Sequence, residues 1–285
     1  MNFTIVIPTC GRLESLARCL RALPAGVEII VTDDSDGGAA RGMVSSSFPG
    51  VRYLAGPRRG PAANRNHGAN AAVGEWLAFV DDDCEPQPGW LEALDAATSD
   101  ADVVEGRTVA PGASDSPFEE HVENQGGGVL WSCNLAVRRE VFARLGGFDE
   151  DFTEAGGEDM EFAWRVARAV LRVRFEPEAL VFHPPRRIGW RGLWRRTWMI
   201  RWMALYRLKT GQAASLPGIL ARETADLLRV TRSFVIHPEP ARWRRGAFAV
   251  AWRWITFPAV LPWMLFWDWR FRRALSSRST GAATP

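Results

Sequence analysis

The chain has little of what would mark a zinc knuckle, a disulfide scaffold, a secreted protein or a membrane span. Its four cysteines, Cys10, Cys19, Cys84 and Cys133, lie far apart and form no CxxC pair. That spacing suggests neither a metal knuckle nor a disulfide framework and suits a reducing cytosol. The opening "MNFTIVIPTCGR" has a short apolar run and no basic leader, so a signal peptide is not expected. Near the other end, Trp254 to Trp267 is an uncharged run of 14 residues between Arg253 and Asp268, broken by Pro258 and Pro262. This is short of a spanning helix and fits a re-entrant, interfacial or buried segment. No internal repeat is visible.

What is there is globular and lopsided. With 285 residues and 47% apolar content, the chain can build one large domain or a catalytic domain with an appendage. The net charge of +2 averages two unlike parts, because residues 1–185 sum to −13 and residues 186–285 to +15. "FTIVIP" (3–8), "VEIIVTDDSD" (27–36), "VRYLAG" (51–56) and "EWLAFVDDD" (75–83) are apolar strand patterns. "RLESLARCLRAL" (12–23) and "GPAANRNHGANAAV" (60–73) between them read as helices. Alternation of this kind predicts an α/β layer fold with a parallel sheet, whose ligands bind off the carboxyl ends of the strands. From residue 102 the pattern loosens. "SDSPFEEHVENQGGGVLW" reads as a mobile loop, and "NLAVRREVFARLGGFDEDF" as a strand, a helix and a glycine cap. The composition then turns to Arg and Trp. The expected organisation is a catalytic domain over 1–185, a basic helical extension over 186–275 and a disordered tail over 276–285.

The stretch "FVDDDC" poses the chemical question. Three neighbouring carboxylates raise one another's pKa unless a cation sits among them. By strand alternation Asp81 and Asp83 face one side and Asp82 the other. A D-x-D at a strand end suits Mg²⁺ or Mn²⁺, which bind through one or two carboxylates plus substrate phosphates. Alone, the triplet reads equally well as an acid-rich turn capping a helix.

In order, "IVIPTCGR", "EIIVTDDSD", "RGPAANRNHGANAAVGEWLAFVDDD", "WSCNLAVRREVFARLGGFDEDF" and "GGEDMEFAWR" resemble the family 2 glycosyltransferases, inverting nucleotide-sugar-dependent enzymes of the GT-A fold. The resemblance covers roughly residues 3–185. It implies that Pro8, Thr9 and Arg12 border the nucleotide, that Asp33 contacts the base with Asp34 beside it, and that Arg65 lies near the diphosphate. It also implies that Asp81 approaches the ribose or metal, with Asp82 in the nucleotide-contacting set, and that Asp83 ligates the cation. Asp159 in "GED" matches the general base. His183 in "VFHPP" matches a histidine that some relatives place near the metal or diphosphate. "WSCN" (131–134) lines the acceptor side in relatives. A nucleotide-sugar donor, UDP-sugar above all, a Mn²⁺ or Mg²⁺ cofactor and a hydroxyl acceptor on a glycan, lipid-linked or small molecule follow from the same likeness.

Each residue has a plainer alternative. Glu158 and Asp159 also suit a helix N-terminus, Asp33 an Asx turn, Arg12 and Arg65 solvated helix charges, and His183 a loop. Two rival functions stay open. A nucleotidyltransferase needs a Gly-rich basic triphosphate loop that "PTCGRLES" does not resemble. A non-catalytic membrane-associated nucleotide-sugar-binding protein does not need the intact D-x-D and "GED". In the tail, Trp190, Trp194, Trp198 and Trp202 recur every four residues among arginines, which predicts a helical aromatic stripe. Together with residues 242–273 it suits an anionic membrane interface, giving a cytoplasmic protein in peripheral contact with the membrane. The competing reading packs these tryptophans inside the protein. Nucleic acid is not expected, since all the tail's cations but Lys209 are arginine and adjoin an apolar segment.

Overall fold

The computed structural model describes residues 2–114, 116, 118–212, 215–236 and 243–281. The chain divides into two compact units, one of Met1–Gly112 with His121–Pro184, the other of Ala113–Glu120 with Pro185–Pro285. The second unit therefore begins beside the compositional boundary but also draws in a piece of the middle of the chain, which composition does not reveal.

The first unit opens with β1 (Phe3–Thr9), α1 (Leu13–Ala22), β2 (Glu28–Asp33), α2 (Arg41–Ser47), β3 (Val51–Ala55), α3 (Pro61–Ala71) and β4 (Trp76–Phe79). It continues through β5 (Glu85–Pro86), α4 (Trp90–Ala97) and β6 (Val103–Val109). After β7 (Glu119–Glu120), which belongs to the other unit, come β8 (Leu135–Arg138), α5 (Arg139–Leu145), α6 (Glu158–Arg168) and β9 (Val173–Phe182). The sheet order is β3-β2-β1-β4-β8-β6-β9-β5. The first four strands run parallel, and β8 is antiparallel to both neighbours.

Alternation along the strands builds two cores. Ile5, Ile7, Val31, Ala78 and Val80 pack with Leu16 of α1, Val44 of α2 and Leu94 of α4. Val6, Ile30, Leu77 and Phe79 pack with Ala62 and Ala69 of α3, Phe142 of α5 and Phe162 of α6. Because successive side chains point to opposite faces, the buried strands read as continuous apolar runs. α2 has no such sequence signal, since "RGMVSSS" offers one buried residue, Val44. Four phenylalanines, Phe79, Phe142, Phe148 and Phe162, form a tilted cluster with centroids 4.9–5.7 Å apart. They seat α6 on the sheet. The expected glycine cap is present: Gly146 ends α5 at φ 83°, a left-handed conformation that glycine adopts without strain.

The segment read as a mobile loop is tied down at its far end. Buried Glu105 of β6 accepts hydrogen bonds from the backbone N–H groups of Gly128, Val129 and Leu130 and from Asn124 Nδ2. Asp115 and Pro117 in that segment lie outside the described residues. A register shift follows Gly106, where a Cβ would lie 2.4 Å from the Asn134 amide. Asn134 fills that space, donating to Arg107 O and Ala179 O at 2.9 Å and accepting from Trp90 Nε1. Within "WSCN", expected along the acceptor side, Asn134 is thus a buried pin for the sheet.

In the second unit β7 pairs antiparallel with β10 (Arg186–Arg187). α7 (Trp190–Trp198), α8 (Arg201–Lys209), α9 (Leu216–Ile236) and α10 (Trp243–Gly281) follow. The tryptophan stripe is interrupted between α7 and α8, so Trp202 sits on a new helix. Trp190 and Trp194 lie 6.0 and 5.2 Å from Trp252, and Trp198 lies 5.2 Å from Trp263, both partners on α10. α10 extends to Gly281, into the segment expected to be disordered, and residues 282–285 lie outside the described residues.

Phe162 has no exposed surface. Phe162→Ala is expected to cost about 3–5 kcal/mol through lost burial and the cavity left behind, seen as a lower urea midpoint by far-ultraviolet circular dichroism.

Candidate active site

Three parallel strands end at one edge of the first unit and bring Thr9, Asp33 and the aspartate triplet together. The triplet lies just beyond β4, in a turn closed by the Cys84 N–H donating to Asp81 O at 3.0 Å. Alternation survives in exposure: the side chains of Asp81, Asp82 and Asp83 are 23%, 0% and 21% exposed.

Two arginines divide the negative charge. Arg12, at the start of α1, bridges Asp82 and Asp83. Arg65, buried on α3, donates to Asp81 Oδ1 at 2.7 Å and to Glu158 Oε1 at 3.3 Å. Burial opposes the charge on both arginines, but the surrounding carboxylates outweigh it and raise their pKa values. Burial likewise disfavours an ionised Asp81, yet Arg65 prevails and lowers its pKa. The sequence pattern carried no sign that Glu158 closes this clamp. It is buried and also accepts the Gly156 N–H at 2.7 Å.

Two residues expected at the nucleotide, Asp82 and Asp33, make bonds within the protein. Asp82 is fully buried, accepts from Thr9 Oγ1 at 2.6 Å and pairs with Arg12, locking β1 to the turn after β4. Its own burial, with Asp83 and Asp81 adding, pushes its pKa up to about 7 against the opposing pull of Arg12 and Thr9. Asp33 is likewise buried. Its oxygens accept the Ser35 and Ala40 N–H groups at 2.9 Å and the Tyr53 hydroxyl at 3.2 Å. Burial opposes ionisation there, but these bonds lower its pKa. Asp34 accepts from the N–H groups of Arg58 and Gly60. Pro8 and Thr9 are buried at the end of β1, while Arg12 keeps part of its side chain exposed.

Asp83, Cys84 and His183 place one donor atom each within 4.8 Å of one another, with His183 Nε2 3.6 Å from Asp83 Oδ1. His183 Nδ1 is buried without a hydrogen-bond partner among the described residues. A carboxylate and an imidazole suit Mn²⁺, with Mg²⁺ favouring the oxygen ligands. Burial holds the Cys84 thiol well above its usual pKa. Asp81, expected as a further ligand, is turned to Arg65 and lies outside this cluster.

Asp159 sits in the first turn of α6 with Oδ1 buried and unpartnered among the described residues. Desolvation, reinforced by Glu158, pushes its pKa up to about 7, while Arg65 and Ser132 pull the other way. Glu158 and Asp159 thus form an asymmetric pair, one clamping Arg65 and the other left with an unsatisfied oxygen.

A family model described as glycosyl transferase family 2 matches residues 4–146. The chain belongs to glycosyl transferase family 2. A model described as the N-terminal domain of galactosyltransferase matches residues 121–183. The chain is 31% identical over 253 residues to the pre-mycofactocin glycosyltransferase of Mycobacterium tuberculosis, covering 80% of this chain and 50% of that protein. It therefore spans about half the length of this curated relative. Succinoglycan biosynthesis protein ExoM of Rhizobium meliloti is 28% identical over 243 residues, covering 76% of this chain and 75% of that protein. Among solved structures, a Pyrobaculum calidifontis mannosyltransferase in complex with GDP-Man and Mn²⁺ superposes with TM-score 0.61 at 18% identity. The alignment covers 94% of this chain and 86% of that one. GalNAc-T7 with UDP, GalNAc and Mn²⁺ gives TM-score 0.53 at 18% identity, covering 73% and 50% of the two chains. The fold of this family 2 chain is GT-A.

The raised pKa of Asp159 has a definite sign in stability. Its folded-state preference for the proton adds stability that is full below pH about 4 and is lost as pH rises to about 7. Asp159→Asn should gain stability relative to wild type across that window and then level off, in urea titrations at successive pH values. Asp82 contributes equally to both proteins and cancels. A pH-independent difference would show that Asp159 is not perturbed.

Proposed function

We propose that the protein is a metal-dependent inverting glycosyltransferase that moves a sugar from a nucleotide-diphosphate donor, most simply a UDP-sugar, to an acceptor hydroxyl. The observation that carries this reading is Asp159, a partly buried carboxylate with an unsatisfied oxygen and a pKa near 7, held beside the Arg65 and Asp81 network. A general base is most effective with a pKa close to working pH.

Asp83 and His183 are the residues to hold the cation, with Asp81 oriented by Arg65 at the side of the site. A divalent cation there supplies charge neutralisation for the leaving diphosphate. Arg12, partly exposed beside Asp83, adds positive charge on the same side. Asp159 accepts the proton of the acceptor hydroxyl as the acceptor oxygen bonds to the anomeric carbon. The bond from that carbon to the diphosphate breaks, and its electron pair leaves with the diphosphate. A single displacement inverts the carbon and needs no covalent nucleophile. Asp33, Asp34 and Asp82 shape the loops bordering the nucleotide through the bonds described above. An acceptor on a lipid-linked or cell-surface glycan precursor, and a peripheral cytoplasmic location, complete the proposal.

The test is nucleoside-diphosphate release from a panel of UDP-, dTDP- and GDP-sugars with Mn²⁺ or Mg²⁺. Turnover of one donor should vanish with chelator and with Asp83→Ala. Asp159→Asn should lower kcat by about 10²–10⁴-fold with little change in donor KM. Full activity in Asp159→Asn would remove it from the base role.

A further inference from the structure

The sequence pattern drew attention to the tryptophans of α7 and α8, but many of their rings turn toward α10. Trp190 and Trp194 meet it yet stay 58% and 43% exposed, and a second exposed apolar surface lies on α10 itself. Its inward stripe, Thr256, Val260, Met264 and Asp268, is buried at four-residue spacing. On the opposite face Trp254, Ile255, Phe266 and Trp269 are 46%, 72%, 44% and 55% exposed. Pro258 and Pro262 are exposed on the same side. This reverses the usual arrangement in which a surface helix turns its polar residues outward. From Trp254 to Trp269 the outward face is uncharged and about 22 Å long at the helical rise. Arg253 stands at one end and Arg270 and Arg273 at the other.

We propose that this face of α10 is a docking surface for an anionic lipid bilayer, with the helix lying in the plane of the interface. Charge decides between a bilayer and a second copy of the chain. Residues 186–285 carry a surplus of +15. Three of their acids, Glu223, Asp226 and Asp268, are already paired with Arg207, Arg229 and Arg272. Two copies meeting through α10 would bring like charges together, whereas anionic headgroups attract them at about 1 kcal/mol per basic residue near the surface. A tryptophan at either end of the apolar stretch suits the headgroup boundary, with the Trp254 N–H already given to Thr231 Oγ1 at 3.1 Å. Phe266, Trp269, Arg270, Arg273 and Ala274 line an open groove of about 460 Å³. Apolar rings beside guanidinium groups can receive a lipid phosphate together with the start of its acyl chains.

The prolines argue for lying in the interface and against crossing. Residues 246–275 are long and apolar enough to span a bilayer. But Pro258 and Pro262 have no N–H to give to the carbonyls of Trp254 and Pro258, and these residues are on the exposed side. In hydrocarbon such carbonyls need a partner from a neighbouring helix or side chain, while at headgroup depth water reaches them. The inward face is also committed, since α10 packs on α7, α8 and α9 within its own unit.

The experiment is co-flotation of the purified full chain with vesicles of phosphatidylcholine alone or with added phosphatidylglycerol. Flotation with the anionic vesicles, weakened by salt, is expected. Ile255→Glu with Trp269→Glu should abolish it, and Arg270→Gln with Arg273→Gln should reduce the anionic preference by roughly thirtyfold. Circular dichroism confirms that each variant is folded. Donor turnover, which uses none of these residues, should be unchanged, so failure of the glycosyltransferase proposal and failure of this one are separable. Three outcomes overturn the proposal: no flotation with either vesicle, equal flotation of the Glu variant, or a vesicle-free dimer dissociated by that variant, which would assign the face to a second copy. Flotation that resists alkaline carbonate extraction would overturn the interfacial placement in favour of a span.

Discussion

A single buried guanidinium organises the catalytic unit. Arg65 reaches Asp81 after β4 and Glu158 at the start of α6, and its Cζ lies 5.7 Å from the centroid of the Phe148 ring. Carboxylates from two distant parts of the chain can be buried there only because they share this cation. Leaving one buried charge of such a pair unmatched typically costs several kcal/mol. The clamp fixes α6 against the aspartate turn and thereby sets where Asp159 sits. Since Glu158 takes the hydrogen bond from Arg65, Asp159 keeps an unsatisfied oxygen and a raised pKa. Structural support and chemical poise come from neighbouring residues of one helical turn.

The aspartate triplet follows the same logic. Its crowding is relieved from two sides, by Arg65 on Asp81 and by Arg12 on Asp82 and Asp83. The central carboxylate is spent on holding β1 to the turn through Thr9, while Asp83 remains beside His183 at the surface of the site. Of three adjacent identical side chains, one is a buried strut, one a partner to a buried arginine, and one the best-placed candidate for a cation.

The second unit obeys a different constraint. Its tryptophans meet α10 ring against ring, yet Trp190 and Trp194 stay 58% and 43% exposed, and a further apolar strip is left on the outside of α10. Among the described residues of 186–285, Glu223, Asp226 and Asp268 are all ion-paired within the unit, against a surplus of +15.

Much of the sheet was legible before the structure, because strands buried on both faces read as unbroken apolar runs and the parallel order requires helices between them. β1 to β4, α1, α3, the glycine cap after α5 and the N-terminal position of Glu158 and Asp159 all follow from local pattern. α2 was not legible, because it buries only Val44. Neither was the Glu105 anchor, whose partners lie about 20 residues away and, apart from the Asn124 amide, are backbone N–H groups that carry no residue signature. By itself the sequence determined the family, the layered fold and the set of residues from which a site is drawn. Only the tertiary structure decided the bonding partners of Asp82 and Asp33, the pairing of Arg65 with Glu158, and the outward turn of α10. Those outcomes depend on burial and on charges brought together across long sequence separations, and periodicity along a chain reports only on neighbours a few residues apart.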